Sequence, residues 1–266
     1  MGHRLFYVLG GIAALWLTAI VGSLLVTGLS HVNWTFLTAF PQESGAGGIM
    51  PELVNSLVMV GLAMLVSGPL ALGAAIYRRE YIQSPRWGRW WDRYRQVFLS
   101  VPSVVVGLFI YQVAIDWWRW PVSVMTGTLA LIWINWPWAV TVADEAIRQV
   151  ADSYRDASLA LGANRVQMLR TVVLPVAMPN LIQAAGMAAA RLLGESAALI
   201  MTAGVNVSPH FSLWGPGETL AVHLWYIRSE GLMPNRDALA AATGIVLLGL
   251  IGVLLWSSRR IARWFE

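Results

Sequence analysis

The sequence predicts an all-α polytopic membrane protein, a single transmembrane domain over residues 1–266 with six transmembrane helices. Three observations carry this. Of 266 residues, 57% are hydrophobic and only 12% charged, against roughly 25% charged in an ordinary soluble domain. Six stretches approach the length of about 20 mostly apolar residues that a bilayer-spanning helix needs. The arginines gather between alternate stretches, as cytoplasmic loops do.

The first stretch, 5–29, follows Met1-Gly2-His3-Arg4. It outruns the roughly 7–15 residues of a signal-peptide core and is expected to be a retained span. The second covers 50–77, the third 97–115, the fourth 122–143, the fifth 179–203 and the sixth 238–256. Pro51, Pro69, Pro137 and Pro179 fall in or at these spans; inside a bilayer they are expected to kink helices rather than end them.

Arg4, the run from Arg78 to Arg95, the group Arg148, Arg155, Arg165 and Arg170, and the terminal Arg259, Arg260 and Arg263 fall on one side. Arg119, Arg228 and Arg236 fall on the other. The positive-inside tendency makes both termini and the 78–96 and 144–175 loops cytoplasmic. It leaves 30–49, 116–121 and 204–237 outside. Trp87, Trp90 and Trp91, and Trp117, Trp118 and Trp120, read as interfacial anchors among the 15 tryptophans.

Several function classes fall away. With no cysteine there is no disulfide, thiolate metal site or cysteine nucleophile. No Gly-rich phosphate loop, HExxH or Cys/His cluster appears, so neither ATP hydrolysis nor a metal site is expected in this chain. The net charge of +4 is scattered in short runs rather than gathered on one basic face, so nucleic acid is not an expected partner.

The segment 144–175 carries the most information. Ala157, Leu159, Ala160 and Leu161 precede Gly162, and a second run, Val166, Leu169, Val172 and Val173, ends at Leu174-Pro175. This predicts two short helices hinged at Gly162, a residue suited to ending a helix with positive φ. Such a segment either docks on another surface or lies at the membrane interface.

Asp156-Ala157-Ser158, three residues, Gly162, nine residues, Val172, one residue, Leu174-Pro175 resembles the cytoplasmic motif of importer-type ABC transporter permeases. That motif runs Glu-Ala-Ala, three residues, Gly, nine residues, Ile, one residue, Leu-Pro. The resemblance implies a type I importer permease fold and makes the segment a coupling helix seated on a separate ATP-binding subunit, with Arg155 and Asp156 as candidates for salt contacts there. ATP and Mg would be bound by that ATPase, and this chain would need no cofactor.

Further segments are similar to the A-type subunit of phosphate-importer permeases: Pro69-Leu70-Ala71-Leu72-Gly73, Ser100-Val101-Pro102-Ser103, Arg191-Leu192-Leu193-Gly194-Glu195-Ser196-Ala197 and Gly217-Glu218-Thr219-Leu220-Ala221-Val222-His223. Ala198 stands where that family usually has proline. The resemblance implies half of a phosphate pathway, with a homologous C-type permease, an ATPase dimer, an extracytoplasmic phosphate-binding protein and the lipid bilayer as partners. Another oxyanion, such as phosphonate, sulfate or molybdate, and an ATP-independent secondary transporter are the competing readings.

Arg191 and Glu195 are the only charges between Thr171 and Gly204, and i, i+4 spacing would put them on one helix face. Charge at bilayer depth is costly and points to a pathway; the alternative is a structural ion pair. A guanidinium fork suits a tetrahedral oxyanion. Asn135, Asn55 and Ser56 are expected to bond across helices, and His210 and His223 are left without a role.

Overall fold

The computed structural model describes residues 2–41, 47–206, 210–229 and 235–265, and every regular element among them is helical. In chain order these are α1 (Gly2–Gly28), α2 (Trp34–Thr38), α3 (Met50–Ile76), α4 (Pro85–Ser100), α5 (Ser103–Ile110), α6 (Val124–Arg148), α7 (Asp152–Ala160), α8 (Arg165–Met168), α9 (Leu174–Leu193), α10 (Leu199–Thr202), α11 (Leu220–Ser229) and α12 (Arg236–Ala262). π-Helical turns extend α3 (Tyr77–Tyr81) and α5 (Tyr111–Trp117) and join α8 to α9 (Leu169–Val173).

The centre is the pair α3 and α6. Lipid removes the hydrophobic drive that pairs helices in water, so close approach between small side chains has to supply the packing. On α3 the buried positions Ala63, Ser67, Ala71 and Ala75 repeat every four residues. On α6, Gly127, Leu131, Asn135, Ala139, Ala143 and Ile147 do the same. Gly127 lies against Met59, where any side chain would collide. Asn135 Nδ2 donates to Ser67 Oγ at 2.8 Å, and Ala71 shares a buried cluster with Ala139, and Ala75 one with Ala143. The partner of each α3 residue lies 68 positions further on, as for Ser67 and Asn135. The two helices therefore run parallel, and the chain between them has to return across the bundle.

That return differs from the expected span 97–115. Pro102 disfavours helical backbone at Val101, which is extended (φ −70°, ψ 124°). The helix breaks there, and Pro85–Ser100 meets Ser103–Trp117 at 89°. At 1.5 Å per residue the second limb rises only about 22 Å, against a hydrocarbon core of about 30 Å. By length and composition four helices among the described residues can cross a membrane, Phe6–His31, Met50–Tyr81, Arg165–Leu193 and Arg236–Ala262, and the bent pair, if it is one broken span, brings the number to five. Helix α6, over the expected fourth span, is long enough at 25 residues, but its tryptophans, asparagine, proline and terminal charges dilute its apolar character.

Two more expectations are corrected. The helix expected to make the fifth span at 179–203 instead covers Arg165–Leu193. Val166 to Val173 are thus the first turns of a long helix rather than a second short one. The π-helical turn just before Pro175 widens the backbone where the proline ring would clash with the carbonyl four residues back. Pro51 starts α3, where its missing N–H costs nothing, whereas Pro69, Pro137 and Pro179 lie inside helices.

At the end of α3 and α6 that faces α4, charges replace small residues. Arg79 donates to both Asp144 oxygens, Nε at 2.7 Å and Nη2 at 3.2 Å, Arg95 lies 3.8 Å from Asp144, and Arg78 pairs with Asp92 at 2.9 Å. Asp144→Asn leaves two arginines without their shared carboxylate and should cost about 1.5–3 kcal/mol, read as a lower unfolding midpoint in detergent. Arg148→Gln, whose exposed pair with Glu145 is a surface one, should leave that midpoint nearly unchanged.

Candidate functional site

Arg191 is in the last turn of α9 and lines a cavity of about 420 Å³. The rest of the lining comes from α4 and α5 with the link between them (including Phe98, Ser103 and Phe109) and from α6 (Trp133, Ile134 and Pro137). Arg191 is the cavity's single charged residue. The break between α4 and α5 opens this space, because the two limbs diverge at 89° in front of α6.

The shared helix face expected for Arg191 and Glu195 is not formed, and among the described residues the two make no ion pair. Helix α9 ends at Leu193 with Gly194 as its cap, so Glu195 lies beyond the helix and i, i+4 geometry no longer applies. Its Oε1 accepts instead from the Ala198 N–H at 3.5 Å, across the turn that leads into α10. Among the described residues Arg191 takes part in no ion pair. A guanidinium against apolar walls with no carboxylate beside it keeps its full fork of donors for an incoming anion.

The segment at 149–164 is the second candidate region. Gly162 has φ +86°, the Gly162 N–H donates to the Leu159 carbonyl and the Ala163 N–H to that of Ser158. This is the Schellman arrangement that Gly permits, so Gly162 ends α7 as the sequence implied. Arg155 is not free to meet a partner: its Nε donates to Glu80 at 3.1 Å and Nη2 to the Ile147 carbonyl at 3.1 Å. With Arg165 donating to the Glu80 carbonyl at 3.0 Å, it fastens α7 to the ends of α3 and α6. Arg155 is thus a positioning residue. Asp156 and Ala157 are exposed and Ser158 is buried, Pro175 is exposed and Leu174 half-buried at the start of α9. Leu161 at the tip is 90% exposed, with Tyr154 and Leu159 exposed beside it. The nearby Glu145 carboxyl is held below the ordinary range by its hydrogen bonds from Arg148.

A short, mostly polar helix with an exposed apolar tip, fastened to the ends of α3 and α6, suits docking on another surface, and comparison with known proteins decides the family. Residues 67–266 match the family described as binding-protein-dependent transport system inner membrane component. The chain belongs to that family. The permease is 32% identical to a probable ABC transporter permease protein, YqgI, of Bacillus subtilis (strain 168), over 98% of this chain and 92% of that one. It is 30% identical to the phosphate transport system permease protein PstA 2 of Mycobacterium tuberculosis (strain CDC 1551 / Oshkosh), over 87% and 78%. Among solved structures, a chain of a bacterial alginate ABC transporter in complex with an alginate pentasaccharide-bound periplasmic protein superposes with a TM-score of 0.72 at 16% identity, covering 98% and 94%. An inward-facing MetNI methionine ABC transporter chain gives 0.63 at 18%, covering 82% and 94%. These likenesses establish the MetI-like permease fold.

A third cluster escaped the sequence reading. The segment 210–229, expected to lie outside the membrane, folds back against the helices, burying Glu218, Thr219 and Leu220. It brings His223 to 3.3 Å from Glu218 and 3.6 Å from Glu52. Burial opposes a charge on His223, but the Glu218 carboxylate and then Glu52 outweigh it and raise the imidazole pKa. Asn55 and Ser56 serve this segment: Asn55 Nδ2 donates to the Glu218 carbonyl at 3.1 Å and the Leu220 N–H to Ser56 Oγ at 2.8 Å. His210 is exposed and lines a separate cleft with Phe40 and Pro51.

Proposed function

We propose that this permease is half of the translocation pathway of an ATP-driven inorganic phosphate importer, with six crossings and both termini cytoplasmic. Arg191, lining an apolar cavity with no counter-carboxylate, is the observation that carries the substrate class. A fork of donors exposed among apolar side chains suits a tetrahedral oxyanion. Glu195 holds the turn behind it. The relatives named as phosphate permeases support phosphate within that class.

The exposed apolar tip at Tyr154, Leu159 and Leu161, on a segment braced by Arg155, supports its reading as the coupling helix on a separate ATPase dimer, which binds ATP and Mg. Closure of that dimer would reach the cavity as rigid-body motion, because the Arg165–Leu193 helix runs from the coupling turn to Arg191. A homologous C-type permease completes the pathway, and an extracytoplasmic phosphate-binding protein delivers the anion. The distribution of arginines supports the orientation.

The test is ATPase activity of the reconstituted complex with its binding protein in proteoliposomes. Phosphate should stimulate it, whereas phosphonate, sulfate and molybdate at equal concentration should not. Stimulation by one of those three instead would keep the permease and move the substrate; transport insensitive to ATP would overturn coupling.

A further inference from the structure

We propose that Glu52, Glu218 and His223 form a binding site for a divalent transition-metal ion, with Zn²⁺ as the best-suited occupant, which staples the outer segment to the start of α3. One ligand atom from each of the three side chains lies within 4.8 Å of the other two. His223 Nδ1 is 3.3 Å from Glu218 Oε1 and 3.6 Å from Glu52 Oε1. Ligands bound at about 2.0–2.1 Å in a tetrahedral zinc site stand about 3.3–3.4 Å apart along each edge; the two distances from His223 are close to this, and the third, between the two carboxylates, is within 4.8 Å.

The polar accounting points to a ligand independently. Glu52 is fully buried, and neither of its carboxylate oxygens has a hydrogen-bond partner among the described residues. Glu218 Oε1 and His223 Nδ1 face each other at 3.3 Å without the alignment of a hydrogen bond, and neither has another partner among the described residues. Two carboxylates brought together out of water repel and lose solvation; a divalent ion balances both charges and supplies the missing partner to three atoms at once. Imidazole with two carboxylates suits Zn²⁺ or Mn²⁺ better than the all-oxygen preference of Ca²⁺ or Mg²⁺.

The surrounding structure holds the ligands in place. The hydrogen bonds from Asn55 and to Ser56 fix the backbone at Glu218 and Leu220 one turn along α3 from Glu52. A side chain at Gly217 would collide with Val124, so only glycine lets the segment descend far enough for Glu218 to reach the triad. Such support is what orients first ligands in metal sites. The ion would tie residues far apart in sequence, and its place does not depend on which anion the permease carries.

The test is the metal content of the purified permease in its complex, with any affinity tag removed, by mass spectrometry after gel filtration. About one Zn²⁺ per chain is expected, falling at least tenfold in Glu218→Gln and in His223→Gln. Because either variant can fold poorly, the wild type is also stripped with a chelator: its unfolding midpoint should drop by several degrees and recover with Zn²⁺ but not with Mg²⁺. Only trace zinc and manganese, both as purified and after equilibration with Zn²⁺, would overturn the site and leave a protonated triad. So would full zinc retention in both variants, or a midpoint indifferent to chelation.

Discussion

Arg191→Gln should reduce phosphate-stimulated transport by about 30- to 150-fold while the protein accumulates normally. The factor follows from losing about 2–3 kcal/mol of charged hydrogen bonding to the anion. Normal abundance follows from the structure: Arg191 is exposed to its cavity and is in no ion pair among the described residues, so its removal leaves no stranded carboxylate. Arg191→Lys keeps the charge but not the planar fork and should recover only part of the rate. Glu195→Gln separates the two readings of these charges. Were they a structural pair, both glutamine variants would fail alike. With Glu195 accepting from Ala198, a task the glutamine oxygen also performs, transport should stay close to normal. Uptake of radiolabelled phosphate into proteoliposomes, normalised to permease content, gives all three numbers; a normal rate for Arg191→Gln would remove it from the pathway.

That contrast also shows where sequence reading succeeds and where it stops. Membrane character, helical class and the helix-ending role of Gly162 were legible because each depends on local properties: apolar length, periodicity, the steric freedom of one residue. Span limits were less legible. Hydropathy sees Val97 to Ile115 as one apolar run, while the structure is decided by Pro102 acting on the backbone of Val101. It likewise ran the fifth span through Gly194, and so put Arg191 on one helix face with a Glu195 that lies past the end of the helix. The constant register between α3 and α6 left a trace in sequence, the repeat of small residues every four positions, yet only their contact reveals that the two are parallel. Glu52 and His223 gave no signal of association, since a charge in the first turn of α3 and a histidine in an outer loop are each ordinary alone. It is the return of the outer segment, seated on Asn55 and Ser56, that brings them together.

Leu161→Glu should weaken association with the ATPase subunit by about 30-fold or more, the effect of losing roughly 2 kcal/mol at an anchor residue, and abolish ATP-driven transport. The argument rests on Leu161 having nothing to do inside the permease: it is 90% exposed, so the change costs no packing and the unfolding midpoint should stay within about 0.5 kcal/mol of wild type. An apolar residue presented in this way on a rigid tip is either a docking anchor or a membrane contact, and the substitution distinguishes these. A docking anchor loses the ATPase while the permease remains in the membrane and intact; a membrane contact leaves copurification and transport unaltered. Arg155→Ala supplies the contrasting case. Its guanidinium holds Glu80 and the Ile147 carbonyl, so its removal should loosen α7, lowering the midpoint and the coupling together, whereas Leu161→Glu lowers coupling alone. If both variants behaved alike, the tip would be part of the permease's own packing, and motion of the ATPase would have to reach Arg191 by another route than the helix that begins at Arg165.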